Sequence, residues 1–332
     1  MIWYKNNDND IVISTRIRLA RNIESMPFPQ FLKDKKELSE KIRDSVFESN
    51  STLADDFEFI ELDSVPHSKK VSLTEEHLIS PQMLKDEGKS VLINKDKTMS
   101  IMLMEEDHIR LQIIRSGLAI DEAYDTANRV DDVLEESLTY AFDEKFGYLT
   151  ACPTNAGTGL RASVMMHLPA LTMTKNINRI INASTGMGIE IRGLYGEGTS
   201  AEGNLYQISN RLTLGLSEKE ILEKVKGIVN QISEAEEKAR QILKENNSAA
   251  LEDRLFRSYG ILKYARSISS SEAKQLLSDV MLGINMGILP KESKLSALEC
   301  MIKTAPSFIG KDENLSPEER DIKRAEFIRE NI

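Results

Sequence analysis

Hydrophobic and polar positions alternate with two distinct periods along the chain, and the period changes mark out its elements. "DIVISTRIRLARN" (residues 10–22) alternates apolar and polar residues and predicts a strand carrying Arg16, Arg18 and Arg21. Residues 34–50 have helical spacing, "FEFIEL" (57–62) reads as a strand, and "SLTEEHLIS" (72–80) as a short helix. Ser72 opens that helix, with Glu75 at capping-box distance. Residues 90–104 predict two strands around the turn "NKDK", and "EEDHIRLQII" (105–114) alternates again. Residues 120–146 predict one long amphipathic helix ended by Gly147. A loop, the strand-like "RASVMMHL", and helix-forming residues 171–182 follow. Residues 189–215 predict two strands around a glycine-rich loop. From Ser217 onward every pattern is helical, with a break near residues 246–250.

The pattern predicts an α+β chain of two domains: a catalytic-type domain over 1–246 and an all-helical domain over 247–332. Its 332 residues are enough for a sizeable core. No apolar run reaches the ~18 residues needed to cross a bilayer, and "MIWYKNNDND" has no apolar core of a secretion signal. The two cysteines, Cys152 and Cys300, form no CxxC pair, which suggests neither a disulfide framework nor a zinc site. A reducing cytoplasm and no membrane association are expected.

The formal net charge of −10 argues against a nucleic-acid binder, whose affinity comes from neutralising phosphates. The distribution of positive charge adds to this. Residues 100–215 contain seven arginines (Arg110, Arg115, Arg129, Arg161, Arg179, Arg192, Arg211) against two lysines, Lys145 and Lys175. Arginine suits fixed, bidentate oxyanion recognition, so an arginine-rich middle suggests an anion pocket; solvated arginines paired with carboxylates fit the same count.

Arg16 and Arg18, two apart on a strand, face one side. Arg110 follows "EEDH", Arg161 follows the 155–159 loop, and Arg192 precedes the 196–203 loop, so each lies near a strand end or glycine-bearing loop. Converging there, the five could cradle a triphosphate, whose γ-phosphoryl transfer needs mainly positioning and charge stabilisation. Glu106 and Glu197 would then stand beside the anion site, able to grip a cationic acceptor and take its proton. Cys152 with arginine neighbours would favour its thiolate; a buried small hydrophobe is the alternative. Walker, Rossmann and protein-kinase signatures are missing.

In order, "STRIR", "EEHLIS", "EEDHIR", "CPTNAGTGLRAS" and "RGLYGEGTSAEGNLYQISN" resemble the ATP:guanido phosphotransferase family, which includes the creatine and arginine kinases. The resemblance implies an antiparallel-sheet catalytic domain with surrounding helices. It implies ATP-phosphate clamps at Arg16, Arg18, Arg110, Arg161 and Arg192, and an adenine-packing histidine at His77. It places acceptor-holding carboxylates at Glu106 and Glu197 and the reactive cysteine at Cys152. Mg2+ would arrive with ATP, held mainly by phosphate oxygens and water, with no dedicated protein ligands. One departure is Met104, where the family usually has asparagine.

Only 13 residues precede Ser14, where small-molecule phosphagen kinases carry a helical lid, and the helical C-terminal part is foreign to them. Both features, with "LEDRLFRSYGIL" and "ERDIKRAEFIRE", resemble the bacterial protein-arginine kinase branch. That branch implies phosphorylation of arginine side chains on proteins, including a heat-shock repressor, marking them for a Clp-type unfoldase and protease. It also implies a zinc-finger activator protein, a homodimer, and phosphoarginine recognition with allosteric control at Arg320, Asp321, Arg324 and Ala325. The alternatives are a kinase of free arginine or another small guanidino compound, and a non-catalytic phosphoarginine-binding adaptor.

Overall fold

The computed structural model describes residues 3–4, 11–49, 55–193, 201–291, 293–310 and 315–332. In chain order the elements begin with β1 (Val12–Arg21), α1 (Lys35–Phe47), β2 (Phe57–Glu61), α2 (His67–Glu75), β3 (Ser90–Asn94), β4 (Met99–Leu103) and β5 (Ile109–Ser116). Next come α3 (Ile120–Glu135), β6 (Phe142–Asp143), β7 (Gly147–Tyr148), β8 (Leu160–His167), α4 (Pro169–Met173), α5 (Ile177–Gly186), β9 (Ile189–Gly193) and β10 (Leu205–Asn210). The remainder is helical: α6 (Glu218–Asn246), α7 (Ser248–Tyr264), α8 (Ser270–Asn285), α9 (Ala297–Lys303), α10 (Pro306–Ile309) and α11 (Pro317–Asn331). The α+β class and the helical C-terminal part are as the sequence predicts.

The chain forms two compact units. The first is Met1–Lys5, Ser14–Val164 and Ser209–Lys226; the second is Asn6–Ile13, Met165–Ile208 and Gly227–Ile332. Strands pair in the order β2-β3-β4-β5-β1-β8-β10-β9. The pairings β2–β3, β3–β4, β4–β5 and β5–β1 are antiparallel.

In the first unit the period-two alternation gives the two sheet faces different jobs. Ile17, Leu19, Leu92, Ile101, Leu111 and Ile113 are buried on one face, and α3 packs against β5 with Ala123, Ala127, Val130 and Leu134 buried. On the other face, Val91, Ile93 and Met102 join Leu73, Leu78, Ile79 and Met83 in an apolar cluster. Farther along that second face the cross-strand register brings Arg110 opposite Met102, Gln112 opposite Arg18, and Arg16 opposite Ile114. Directly opposed residues share a face, so one sheet surface passes from an apolar cluster on β3 and β4 to guanidinium groups on β5 and β1.

Three predicted helices differ from the sequence pattern. Helix α2 begins at His67 after Pro66 and has ended by Glu76, so Ser72 is a buried residue of its interior and does not cap it. His77 follows the C-cap at φ 60°. Its N–H donates to Thr74 O at 3.0 Å while Leu78 N–H donates to Leu73 O at 2.9 Å, a Schellman closure. Helix α3 ends near Glu135 and gives way to the β6–β7 hairpin, because the following backbone pairs elsewhere: Glu24 N–H donates to Thr139 O at 2.9 Å and Ala141 N–H to Asn22 O at 2.8 Å. The run at 171–182 likewise splits into α4 and α5 around Lys175 at φ 59°.

In the second unit, side-chain caps start α8, α9 and α11: Ser269 on α8, and the Ser296–Glu299 and Ser316–Glu319 capping boxes on α9 and α11. Helix α7 packs on α8, α8 on α9, and α11 on α7, burying Leu255, Leu262, Leu277, Leu282 and Ile328. Glu236 of α6 accepts the N–H groups of Ala170 and Leu171 at 3.0 and 2.9 Å, capping α4, and pairs with Arg240 at 2.9 Å. His167 is fully buried with Nε2 2.8 Å from Ser278 Oγ.

Candidate active site

Arg16 and Arg18 are the half-exposed positions of β1, separated by the buried Ile17, so the strand's alternation itself turns both guanidinium groups to one face. Arg110 on β5 and Arg161 on β8 join them electrostatically. Burial, then the like charges of Arg16, Arg110 and Arg161, push the Arg18 pKa well below its ordinary value, with Glu105 acting the other way. Nε and Nη2 of Arg18 are buried with no hydrogen-bond partner among the described residues. A guanidinium crowded by three others and left with buried unmatched donors is unfavourable unless an anion completes it. Four of the five expected phosphate clamps are thus gathered in the first unit.

Arg110 Nη1 donates to Glu105 Oε1 at 2.6 Å and also to Oε2, and Ser80 Oγ donates to the same carboxylate. Glu105 is nearly inaccessible, and these donors overcome the cost of its burial and lower its pKa. Arg161 Nη2 donates to Ser209 Oγ at 3.1 Å. His77, on the same side of the sheet, has its pKa lowered to about 3 by burial and by the Arg16 charge. Gln112 Nε2 donates to His77 O at 2.7 Å, and the Trp3 ring lies 5.4 Å from the imidazole.

The "EEDH" stretch is a loop between β4 and β5, and each of its members has a different task. His108 accepts the N–H of Ile23 on Nδ1 at 3.0 Å, so Nε2, 2.8 Å from Pro27 O, carries the proton. Asp107 accepts Asn22 Nδ2 and Ala151 N–H, both at 2.7 Å. Asn22 Oδ1 in turn accepts His108 N–H at 2.9 Å. With its neighbours held, Glu106 is the exposed member, and its carboxylate hydrogen-bonds Cys152. Burial, Asp107 and Glu105 raise its pKa. Cys152 Sγ also lies 3.0 Å from Thr154 Oγ1. The proposed acceptor carboxylate and the thiol are therefore in contact.

Met104 enters this loop at φ 60° with its side chain fully buried. Asparagine occupies that backbone region far more readily than methionine, which gives a physical reason for the asparagine usual there.

The glycines of the 147–159 stretch make close backbone packing possible. A Cβ on Gly157 would stand 2.6 Å from Thr213 O, on Gly159 2.6 Å from Ala20 O, and on Gly147 2.4 Å from Gly157 O; all three have positive φ. Below them Arg21 is buried, paired to Asp131 at 2.7 Å, donating to Thr158 O at 3.0 Å, and stacked 3.6 Å from the Tyr148 ring centroid. Arg21 is a structural cation and not a member of the cluster around Arg18. A separate open cavity of about 420 Å³ is lined by Phe142, Phe146, Tyr148, Asp132, Glu135 and Glu218, among others.

Arg192 lies in the second unit, largely exposed and 2.5 Å from Glu190. Glu197 lies outside the described residues. On α11, Arg324 is buried, donating from Nε to Thr304 O at 3.0 Å and from Nη1 to Ile268 O at 2.9 Å and to Asp321. Ala325 is buried beside it, while Arg320 and Asp321 are half-exposed. Among the described residues no group of three His, Cys, Asp or Glu side chains gathers as a metal site, and no helix is long and apolar enough to cross a membrane.

Sequence reasoning missed Glu105, Asp107, Asn22, Gln112 and Trp3. Their roles depend on contacts distant in sequence, such as Asn22 and Ala151 on Asp107 and Ser80 on Glu105.

Residues 37–239 match the ATP:guanido phosphotransferase C-terminal catalytic domain family, and residues 248–332 match the protein-arginine kinase McsB C-terminal domain family. The chain is 47% identical over 339 residues to a protein-arginine kinase of Brevibacillus brevis, covering 99% of this chain and 94% of that protein. It belongs to the protein-arginine kinase family. Another family member, from Clostridium acetobutylicum, is 47% identical over 330 residues, covering 98% of this chain and 97% of that protein. Among solved structures, the duplicated taurocyamine kinase from Schistosoma mansoni with bound transition state analog components aligns with a TM-score of 0.63 and 25% identity. That alignment covers 79% of this chain and 38% of that duplicated chain. Lombricine kinase aligns with a TM-score of 0.61 and 25% identity, over 72% of this chain and 68% of that one. This protein-arginine kinase family member thus shares its fold with taurocyamine kinase and lombricine kinase.

Proposed function

We propose that this protein transfers the γ-phosphoryl group of ATP to the guanidinium nitrogen of arginine side chains on other proteins. The observation that carries the reading is Arg18, with two buried unmatched donor nitrogens in the field of Arg16, Arg110 and Arg161. A polyphosphate supplies the missing acceptors and negative charge. In this reading those four arginines hold the phosphates, with Mg2+ accompanying them, and His77 packs on the adenine. Arg192 and Glu197 take the roles that the family resemblance gives them.

Arginine is protonated at neutral pH, with a pKa above ~12, so its nitrogen attacks only after losing a proton. Glu106 takes that proton while Cys152 contacts the same guanidinium. The freed nitrogen lone pair forms the bond to the γ-phosphorus, the bond to the β–γ bridging oxygen breaks, and ADP leaves. Burial, Asp107 and Glu105 raise the affinity of Glu106 for a proton, which improves it as a base.

Further parts of the reading rest on the family resemblance alone. These are a cytoplasmic setting, a homodimer, a zinc-finger activator, a heat-shock repressor among the substrates, and delivery of marked proteins to a Clp-type protease. Arg320, Asp321, Arg324 and Ala325 would form the phosphoarginine-recognition motif, with Arg320 the outward cation. Incubation with labelled ATP and either a mixed protein substrate or free arginine tests the activity. The expected product is acid-labile and maps to arginine residues. Label on free arginine alone, or acid-stable label on serine or threonine, would overturn the reading.

A further inference from the structure

Trp3 is the single tryptophan of the chain, and it is buried although it stands at the start of the sequence. Besides an edge-on contact with the Tyr4 ring, two longer-range contacts tie it to the end of α2. Its Nε1–H donates to Glu76 O at 3.2 Å, and its ring meets the His77 imidazole edge-on with centroids 5.4 Å apart at 63°. Glu76 is the C-cap of α2, so its carbonyl is among those a helix leaves without an internal donor. The indole therefore completes the helix end at the position just before His77, while His77 itself is in the left-handed conformation that only the closing turn sustains. Gln112 fixes the His77 carbonyl from the sheet side at 2.7 Å. Lys97 anchors the Glu76 side chain at 2.7 Å. The His77 main chain is thus held from the sheet side by Gln112, and its imidazole meets the indole.

We infer that Trp3 is a positioning residue for the nucleotide: it holds the His77 ring in the orientation that packs on the adenine. This rests on the reading of His77 as the adenine contact. A nucleotide base stacking on His77 changes the surroundings of the indole that touches it, so Trp3 also reports occupancy. Nucleotide affinity should depend on Trp3, whereas the phosphoryl-transfer step and the acceptor side, built from Glu106 and Cys152, should not.

The test combines calorimetry, steady-state kinetics and tryptophan emission on the intact protein. Addition of Mg-ATP should change the emission of the native protein with the same dissociation constant that calorimetry reports. Trp3→Ala should raise the KM for ATP about fivefold, the weight of about one hydrogen bond, with kcat and the KM for protein substrate within about twofold of native. Trp3→Phe, which keeps a ring on His77 and loses the Nε1 donor, should fall between the two. In His77→Ala, calorimetric ATP binding should persist, weakened, with the emission change lost. ATP binding by calorimetry with flat native emission would overturn the role of Trp3, as would equal changes in kcat and both KM values for Trp3→Phe. Absence of any calorimetric ATP binding would overturn the proposed function itself and this inference with it.

Discussion

Asp107 accepts the backbone N–H of Ala151 at 2.7 Å, and this bond ties the β4–β5 loop to the stretch that carries Cys152. Asn22 braces the same carboxylate from β1's end at 2.7 Å. Asp107→Leu, which leaves both donors buried and unmatched, is expected to cost about 2–4 kcal/mol of stability. Asp107→Asn keeps the shape and should cost less, yet still lower kcat by tenfold or more as Glu106 loses its register against Cys152. Urea unfolding and turnover on the two variants check both statements.

The raised Glu106 pKa sets a pH dependence. A base works only when ionised, so activity should rise with pH through a value above 4.5, the ordinary carboxylate position. Glu106→Gln should abolish that limb along with most of the turnover. A native profile whose acid limb lies at or below 4.5 would remove Glu106 from the role of base.

Arg18 sets stability against function. Arg18→Met removes a guanidinium that has two buried nitrogens and is crowded by Arg16, Arg110 and Arg161. The nucleotide-free protein should melt at an equal or higher temperature, while the KM for ATP rises by about 10–100-fold, the weight of a charge-assisted contact. Calorimetry and kinetics on one preparation separate the effects.

Acid should destabilise the fold through its neutral histidines. His77 and His167 have pKa values lowered to about 3, by burial first and by Arg16 and Arg240 second, against 6.5 when unfolded. The unfolded chain binds the extra protons, so stability falls as pH drops from 6.5 toward 3. In His167→Gln that slope should be shallower, measured by urea midpoints across the window.

The two arginines of α11 should part company. Arg324 is buried on two backbone carbonyls, and Arg324→Ala should cost about 3–5 kcal/mol. Arg320→Ala should leave stability within about 0.5 kcal/mol and weaken binding of a phosphoarginine peptide. Fluorescence anisotropy with the peptide, beside thermal melts, resolves the pair.

The shared face of Arg16 and Arg18 was legible because strand alternation is local: two arginines separated by a buried isoleucine fix their own facing. The start of α2 was misplaced because Ser72 and Glu75 imitate a capping box, whereas Pro66 and the burial of Ser72 set the real boundary. The end of α3 was hidden because the Asn22–Glu24 backbone, more than a hundred residues earlier in the sequence, claims the partners of residues 139–141. The roles within "EEDH" could not be separated for the same reason, since Asn22, Ile23 and Ala151 decide which carboxylate turns outward. Gly147, Gly157 and Gly159 let backbones touch, a contact that no local pattern announces.

That interlock has a genetic consequence. Where Gly147 meets Gly157, and Gly159 meets Ala20, main chain rests on main chain with no side chain as a spacer. Exchanging residues around the thiol can retune polarity there without altering how far that stretch stands from β1. Only replacement of one of these three glycines would change the separation, so in a saturation library they should be the least forgiving positions between Phe146 and Leu160.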